Sequence, residues 1–302
     1  MADFVSEFWS WFIIVPTVGG IVAMFWINMW LNAKPGELDG KPMSHKWDED
    51  LVELNNPLPK WWQNLFYATL VFSCIYLVLY PGLGSFEGIL KTTNVKRYNQ
   101  EMADAEKTYG PLYEGYLAQD IRALAANGEA MKTARRLFMN YCTVCHGSDA
   151  GGAPGFPNLR DTDWLYGGEP DMIKASIMHG RQGSMPAWEA ALGREGVLQV
   201  SEYVLSLSGR RVNANAAELG KVKYQQMCVA CHGGDGKGNP AMGAPDLTDN
   251  IWLYGGSQKT VMQSIAAGRS GKMPAHKEFL GEAKSHLLAA YVYSLSAANI
   301  DR

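Results

Sequence analysis

The sequence predicts an all-α protein: two N-terminal transmembrane helices followed by two tandem helical domains. Three observations carry that prediction. Two long runs without a charged residue, Phe8 to Ala33 and Trp61 to Phe86, lie near the N-terminus. The second half then repeats itself with an offset of 86 residues, and such an internal repeat fixes architecture more firmly than local propensity. Each copy carries the same short motif near its start, Cys142-Thr-Val-Cys145-His146 and Cys228-Val-Ala-Cys231-His232.

From Phe8 to Ala33 a helix rising about 1.5 Å per residue exceeds a hydrocarbon core of roughly 30 Å, even with a bend at Pro16. Asp3 and Glu7 precede the run, and Trp26 and Trp30 close it, where a cleaved signal peptide would begin basic and end in small residues. A retained anchor is therefore expected, with Trp9, Trp11, Trp26 and Trp30 at the interfaces. Residues 34–60 form a polar loop with four lysines, ending in Asn55-Asn-Pro57-Leu-Pro59-Lys60, a turn followed by a helix start. The second spanning helix occupies 61–86 and halts near Tyr80-Pro81-Gly82. Cys74, inside it, reads as a small buried hydrophobe. No Lys or Arg precedes the first run, so the positive-inside rule places the loop in the cytoplasm and both ends outside.

Residues 87–126 read as a polar, partly helical connector, followed by domains at 127–210 and 211–302. In each, C-x-x-C-H is the attachment signature of c-type haem, since two thiols on one helical turn bond one porphyrin and the adjacent imidazole lies beneath its iron. A zinc site would bring two C-x-x-C pairs together across roughly 15 to 20 residues, and a redox dithiol would sit beside a βαβ pattern; neither condition is met. Two covalently attached haems c are expected, held by Cys142, Cys145, Cys228 and Cys231, with His146 and His232 as proximal ligands.

The sixth ligand is expected within each repeat from Met185 in Gly183-Ser-Met185-Pro186 and Met273 in Gly271-Lys-Met273-Pro274, which lie 39 and 41 residues after the respective histidines. A neutral thioether raises the potential of the iron it binds. His179 and His276 compete for the role, but His179 aligns with Ala267 and His276 with Trp188, so neither recurs. His45 and His286 read as surface or packing residues. Arg181 and Arg269, four residues before each methionine, either hold a haem propionate or are solvated loop charges. Trp164, Tyr166, Trp252 and Tyr254 are expected to pack against porphyrin or core. Each repeat ends in a helix, around Tyr203 and Tyr291, expected to cross its own first helix.

The haem units resemble the class I cytochrome c fold. More narrowly, Leu54-Asn-Asn-Pro-Leu-Pro-Lys-Trp-Trp62, Leu65-Phe-Tyr and Tyr80-Pro-Gly-Leu-Gly84, followed by two haem domains, resemble the dihaem CcoP/FixP subunit family of cbb3-type cytochrome c oxidases. The helix at Phe8 to Ala33 is a departure from members with one anchor. The resemblance implies an electron-transfer subunit in the bacterial inner membrane, haem domains and N-terminus periplasmic, that is not catalytic alone. It relays electrons from a soluble cytochrome c toward a monohaem cytochrome c subunit and the catalytic haem-copper subunit of a proton-pumping complex. A membrane-anchored relay for a periplasmic dehydrogenase, a dihaem peroxidase and a haem-based gas sensor are the alternatives. Nucleic acid is excluded as a partner by a net charge of -3 and the lack of any basic stripe. From Asn127 onward 18 Lys and Arg face 16 Asp and Glu, so no one-sign field is expected to steer a donor.

Overall fold

The computed structural model describes residues 6–32, 40–54, 56 and 58–300. Expectations that fall on residues 1–5, 33–39, 55 and 57 lie outside the described residues. The chain divides into two compact units, Met1–Lys107 and Thr108–Arg302.

The first unit holds both expected spanning helices. Helix α1 (Glu7–Asn32) keeps Pro16 inside it, and α2 (Lys60–Leu79) ends where Tyr80 turns extended at φ -115°, ψ 155°, the conformation a following proline imposes. Both are apolar and long enough to cross a membrane, and the most apolar 18-residue window of each has no residue buried inside the protein. Ser85 N–H donates to Ser10 Oγ (3.0 Å), and the Phe25 and Tyr67 rings meet edge to face at 5.6 Å. Cys74 is exposed rather than buried, because no element among the described residues covers that face of α2. The polar loop contains a feature its charge concealed: strands β1 (Pro42–Trp47) and β2 (Leu51–Leu54) pair antiparallel, turning through Asp48 and Glu49 at positive φ.

Helix α3 (Asn94–Leu117) leads into the second unit, followed by α4 (Ile121–Ala125) and α5 (Gly128–Tyr141). Asp120 and Asn127 cap the last two, each accepting two backbone N–H groups that the first turn leaves unpaired. The short α6 (Thr143–His146) carries the first motif, and α7 (Pro170–His179) precedes strand β3 (Arg181–Met185) and α8 (Glu189–Leu207). The second copy repeats the order: α9 (Ala214–Met227), α10 (Val229–His232), α11 (Gln258–Ala267), β4 (Arg269–Met273) and α12 (Lys277–Ile300).

These helices do not close repeat by repeat. Helix α12, the last of the second copy, packs on α4, α5 and α7 of the first, while α8 packs on α9 and α11 of the second. One core joins Phe138, Ile173 and Ile177 to Leu280, Leu287, Leu288 and Val292. The other joins Val197, Val200, Val204 and Leu205 to Tyr224, Val261 and Ile265. The expectation that the final helix of each repeat crosses its own first helix is therefore corrected to a reciprocal exchange. Its local cause is the connection Ser208–Asn213, since so short a link makes α8 and α9 antiparallel neighbours.

The exchange passes through one point. Strands β3 and β4 pair antiparallel with Arg181 opposite Met273, Gly183 opposite Gly271 and Met185 opposite Arg269. The two segments entering it turn at Gly180 (φ +69°) and Gly268 (φ +74°), where a Cβ would stand 2.4 Å from the carbonyl oxygens of Met273 and Met185 respectively. Only glycine satisfies both the left-handed backbone and that approach. Helix α4, read from sequence as connector, buries Ile121 and Leu124 in the first core.

Candidate haem-attachment sites

Each C-x-x-C-H segment forms one helical turn at the end of a longer helix. The N–H groups of Cys145 and His146 both donate to Cys142 O (3.2 and 3.0 Å), and those of Cys231 and His232 to Cys228 O (3.1 and 3.0 Å). Phe138 and Tyr224, four residues before the first cysteine of each motif, are fully buried beneath it, and Tyr224 Oη donates to Gly233 O (2.9 Å). Val144, between the first pair of cysteines, is 92 % exposed, and the two cysteines are half-buried.

The histidines are prepared as metal ligands. His146 Nδ1 lies 3.0 Å from Pro157 O, and His232 Nδ1 lies 3.3 Å from Pro245 O. A carbonyl can only accept, so Nδ1 carries the proton and Nε2 keeps its lone pair for iron. Burial lowers both imidazole pKa values and holds the rings neutral. All five cysteines are free of disulfides. Burial, with the neighbouring thiol second, pushes Cys142 and Cys228 up to about 11. A reactive redox dithiol needs the opposite shift. The donor set therefore fits haem c.

The exchange of helices carries the distal loops with it. Met273 packs against the core that holds Cys142, Phe138 and Trp164, whereas Met185 packs against the core that holds Cys228, Tyr224 and Trp252. Each C-x-x-C-H motif thus shares its core with the methionine of the other repeat, where the spacing in the sequence paired them within a repeat. His179 is exposed at the end of α7, whereas His286 is buried and contacts Gln119 O through Nε2 at 2.9 Å. His45 is exposed beside Trp47.

Arg181 and Arg269 take matching places on the β3–β4 ladder. Each Nε donates to a serine one helix back, Ser176 Oγ at 2.8 Å and Ser264 Oγ at 2.9 Å. Their guanidinium carbons lie 4.9 and 4.4 Å from the ring centres of Tyr166 and Tyr254, within cation–π range. Trp164 and Trp252 pack on the two cores, as expected.

Loops of both repeats also bring carboxylates together. Burial first, then the charges of Asp249, Asp161 and Asp246, raise Asp163 from 3.8 to about 6. The folded state holds that proton more tightly than the unfolded chain, so this contribution to stability is complete below the unfolded pKa and is lost as pH rises through about 6. Asp163→Asn is expected to melt with the native chain near pH 4 and above it at pH 7, a difference read by thermal denaturation across that range (roughly the window between the two values).

Residues 39–87 match the family model for the N-terminal domain of cytochrome oxidase-cbb3, FixP. Residues 129–204 and 215–292 match that for cytochrome c oxidase, cbb3-type, subunit III. The chain is 46 % identical over 297 residues to a cbb3-type cytochrome c oxidase subunit CcoP of Rubrivivax gelatinosus, covering 98 % of this chain and 97 % of that one. It is 39 % identical to the CcoP of Azospirillum brasilense and 36 % to the FixP of Bradyrhizobium sp. (strain ORS 278), in both cases over 83 % of this chain and 93 % of the relative.

Proposed function

The chain belongs to the CcoP/FixP family, subunit III of cbb3-type cytochrome c oxidases, and on that footing we propose how its own residues carry out electron transfer within such an oxidase. It is a membrane-anchored subunit with cytochrome c domains that hold haem c. In our reading there are two haems. The first is bound through Cys142 and Cys145 and ligated by His146 and Met273; the second is bound through Cys228 and Cys231 and ligated by His232 and Met185. The observation that carries this reading is the exchanged packing, which seats each methionine on the core of the opposite motif.

Haem c supplies one-electron chemistry, and the chain supplies the setting. His146 and His232 stay neutral and fixed by Pro157 and Pro245. Met273 and Met185 would each supply a second, thioether ligand, a donor set that would leave no open position for a substrate and would raise the potential. A peroxidase or gas sensor needs a vacant position, and a dehydrogenase relay has no use for the segment matched at 39–87.

In this proposal both termini lie on the periplasmic side and the β1–β2 hairpin on the cytoplasmic side, following the lysines at 34, 41, 46 and 60. The partners are a soluble cytochrome c as donor, then a monohaem subunit and the catalytic haem-copper subunit as acceptors. Purification in mild detergent is expected to yield a chain heavier by two covalent tetrapyrroles, together with both subunits, that accepts electrons from reduced soluble cytochrome c. A mass without covalent haem, or carbon monoxide binding by the reduced chain, would overturn it.

A further inference from the structure

Four glycines stand at matched places in the two repeats, each two residues before a group that the sites need. Gly155 and Gly243 precede Pro157 and Pro245, whose carbonyls fix the proximal histidines, and Gly183 and Gly271 precede Met185 and Met273. Two half-buried tyrosines touch all four. A Cβ on Gly155 would stand 3.3 Å from Tyr254 Cε1, and one on Gly271 would stand 3.7 Å from Tyr254 Oη. A Cβ on Gly243 would overlap the Tyr166 ring, and one on Gly183 would stand 3.1 Å from Tyr166 Oη. Each tyrosine thus reaches from the proximal loop of the other repeat to the distal strand of its own. Both ends of that reach are stiff. Ala153 and Phe156 exchange main-chain bonds of 3.0 and 2.7 Å around Gly155, as Asn239 and Ala244 do at 2.9 and 3.1 Å around Gly243. Gly155 N–H also donates to Leu253 O, beside Tyr254, at 2.8 Å. On the strands, the Arg269 and Arg181 guanidiniums lie over the same two rings.

From these contacts we infer that Tyr254 and Tyr166 are positioning residues, each bracing the loop that orients one proximal histidine against the strand that carries one distal methionine. Tyr254 links Pro157, and through it His146, to Met273. Tyr166 links Pro245 and His232 to Met185. The inference rests on the exchanged pairing proposed above, under which both groups that a tyrosine links serve one iron. Partners behind the ligands hold them in place, and a neutral thioether is a donor whose hold on the iron depends on such support. With the ring removed, the two loops lose their common support and methionine ligation weakens. Because that ligation raises the potential, the potential of the affected haem falls.

The test compares full-length, haem-loaded Tyr254→Leu and Tyr166→Leu with the corresponding Phe variants. Both potentials are read by redox titration, and methionine ligation by the near-infrared sulfur-to-iron band of the oxidised chain during warming. Each Leu variant is expected to lower one potential and to lose part of the band before the chain unfolds, the two variants acting on different haems. Phenylalanine keeps the ring that rests on the proximal loop and under the arginine, so both Phe variants should retain native potentials. Unchanged potentials in the Leu variants overturn the inference even where the melting temperature falls, because a packing role alone moves stability and not potential. A shift of both potentials by each Leu variant upholds the bracing and sinks the exchanged pairing, since each tyrosine then supports ligands of two irons. Should the Leu variants fail to accumulate with two haems, Gly183→Ala replaces them, its added carbon pressing on Tyr166 Oη at 3.1 Å. It is expected to shift one potential, and adding Tyr166→Phe should restore the native value. Gly271→Ala, whose carbon would meet Tyr254 Oη at an ordinary 3.7 Å, should shift neither. No shift from Gly183→Ala, or a shift that Tyr166→Phe leaves in place, overturns the inference.

Discussion

A chain ended after Arg210 is expected to lose methionine ligation at the haem of Cys142, Cys145 and His146, although it keeps the entire first repeat, Met185 included. The truncation takes away Met273 with β4 and, with α12, Leu280, Leu287, Leu288 and Val292, all buried in the first core. At about 1.5–3 kcal/mol for each large apolar side chain, that loss rivals the whole stability of a domain, about 5–15 kcal/mol. The face of α8 that carries Val197, Val200, Val204 and Leu205 is bared at the same time. Oxidised spectra in detergent should show no sulfur-to-iron band, and co-expression of residues 211–302 should bring it back. A truncated chain that unfolds cooperatively with the band intact would mean that each repeat closes on itself.

Gly220→Val is expected to have an effect of similar size confined to the second haem. Helix α9 crosses α8 so closely at Gly220 that even a Cβ would stand 1.9 Å from Gln199 O and 2.4 Å from its carbonyl carbon. Backbone cannot move aside as a side chain can, so overpacking should cost at least about 3 kcal/mol, the upper end of the usual range. The variant should lose the Met185 band and soften to denaturant, while the first haem, whose core is built from α4, α5, α7 and α12, keeps its potential. Gly128→Ala is the matched control, since nothing lies within 4 Å of the added carbon.

The haem-attachment motifs and the spanning runs were legible because each is a local pattern with its own chemistry. Which core each distal loop packs against was not. A repeat reads the same whether its final helix folds back or crosses over, so spacing alone favours the nearer partner. The choice is made by Ser208–Asn213 and by the β3–β4 ladder, where Arg181-Gln-Gly-Ser-Met185 shows no alternation of apolar and polar residues that would announce a strand. Ile121 and Leu124 were hidden for a similar reason, because two apolar residues in a polar stretch signal burial only once α12 is known to cover them. The β1–β2 hairpin went unseen beneath the charges of Lys46, Asp48, Glu49 and Asp50.

A polypeptide is made from its N-terminus onward, and this one reaches His146 well before Met273. The motif synthesised first is therefore the one completed last: its cleft stays open to whatever fastens the porphyrin until the final helix arrives to shut it. The second motif meets the opposite schedule, emerging after α8 and Met185 already exist.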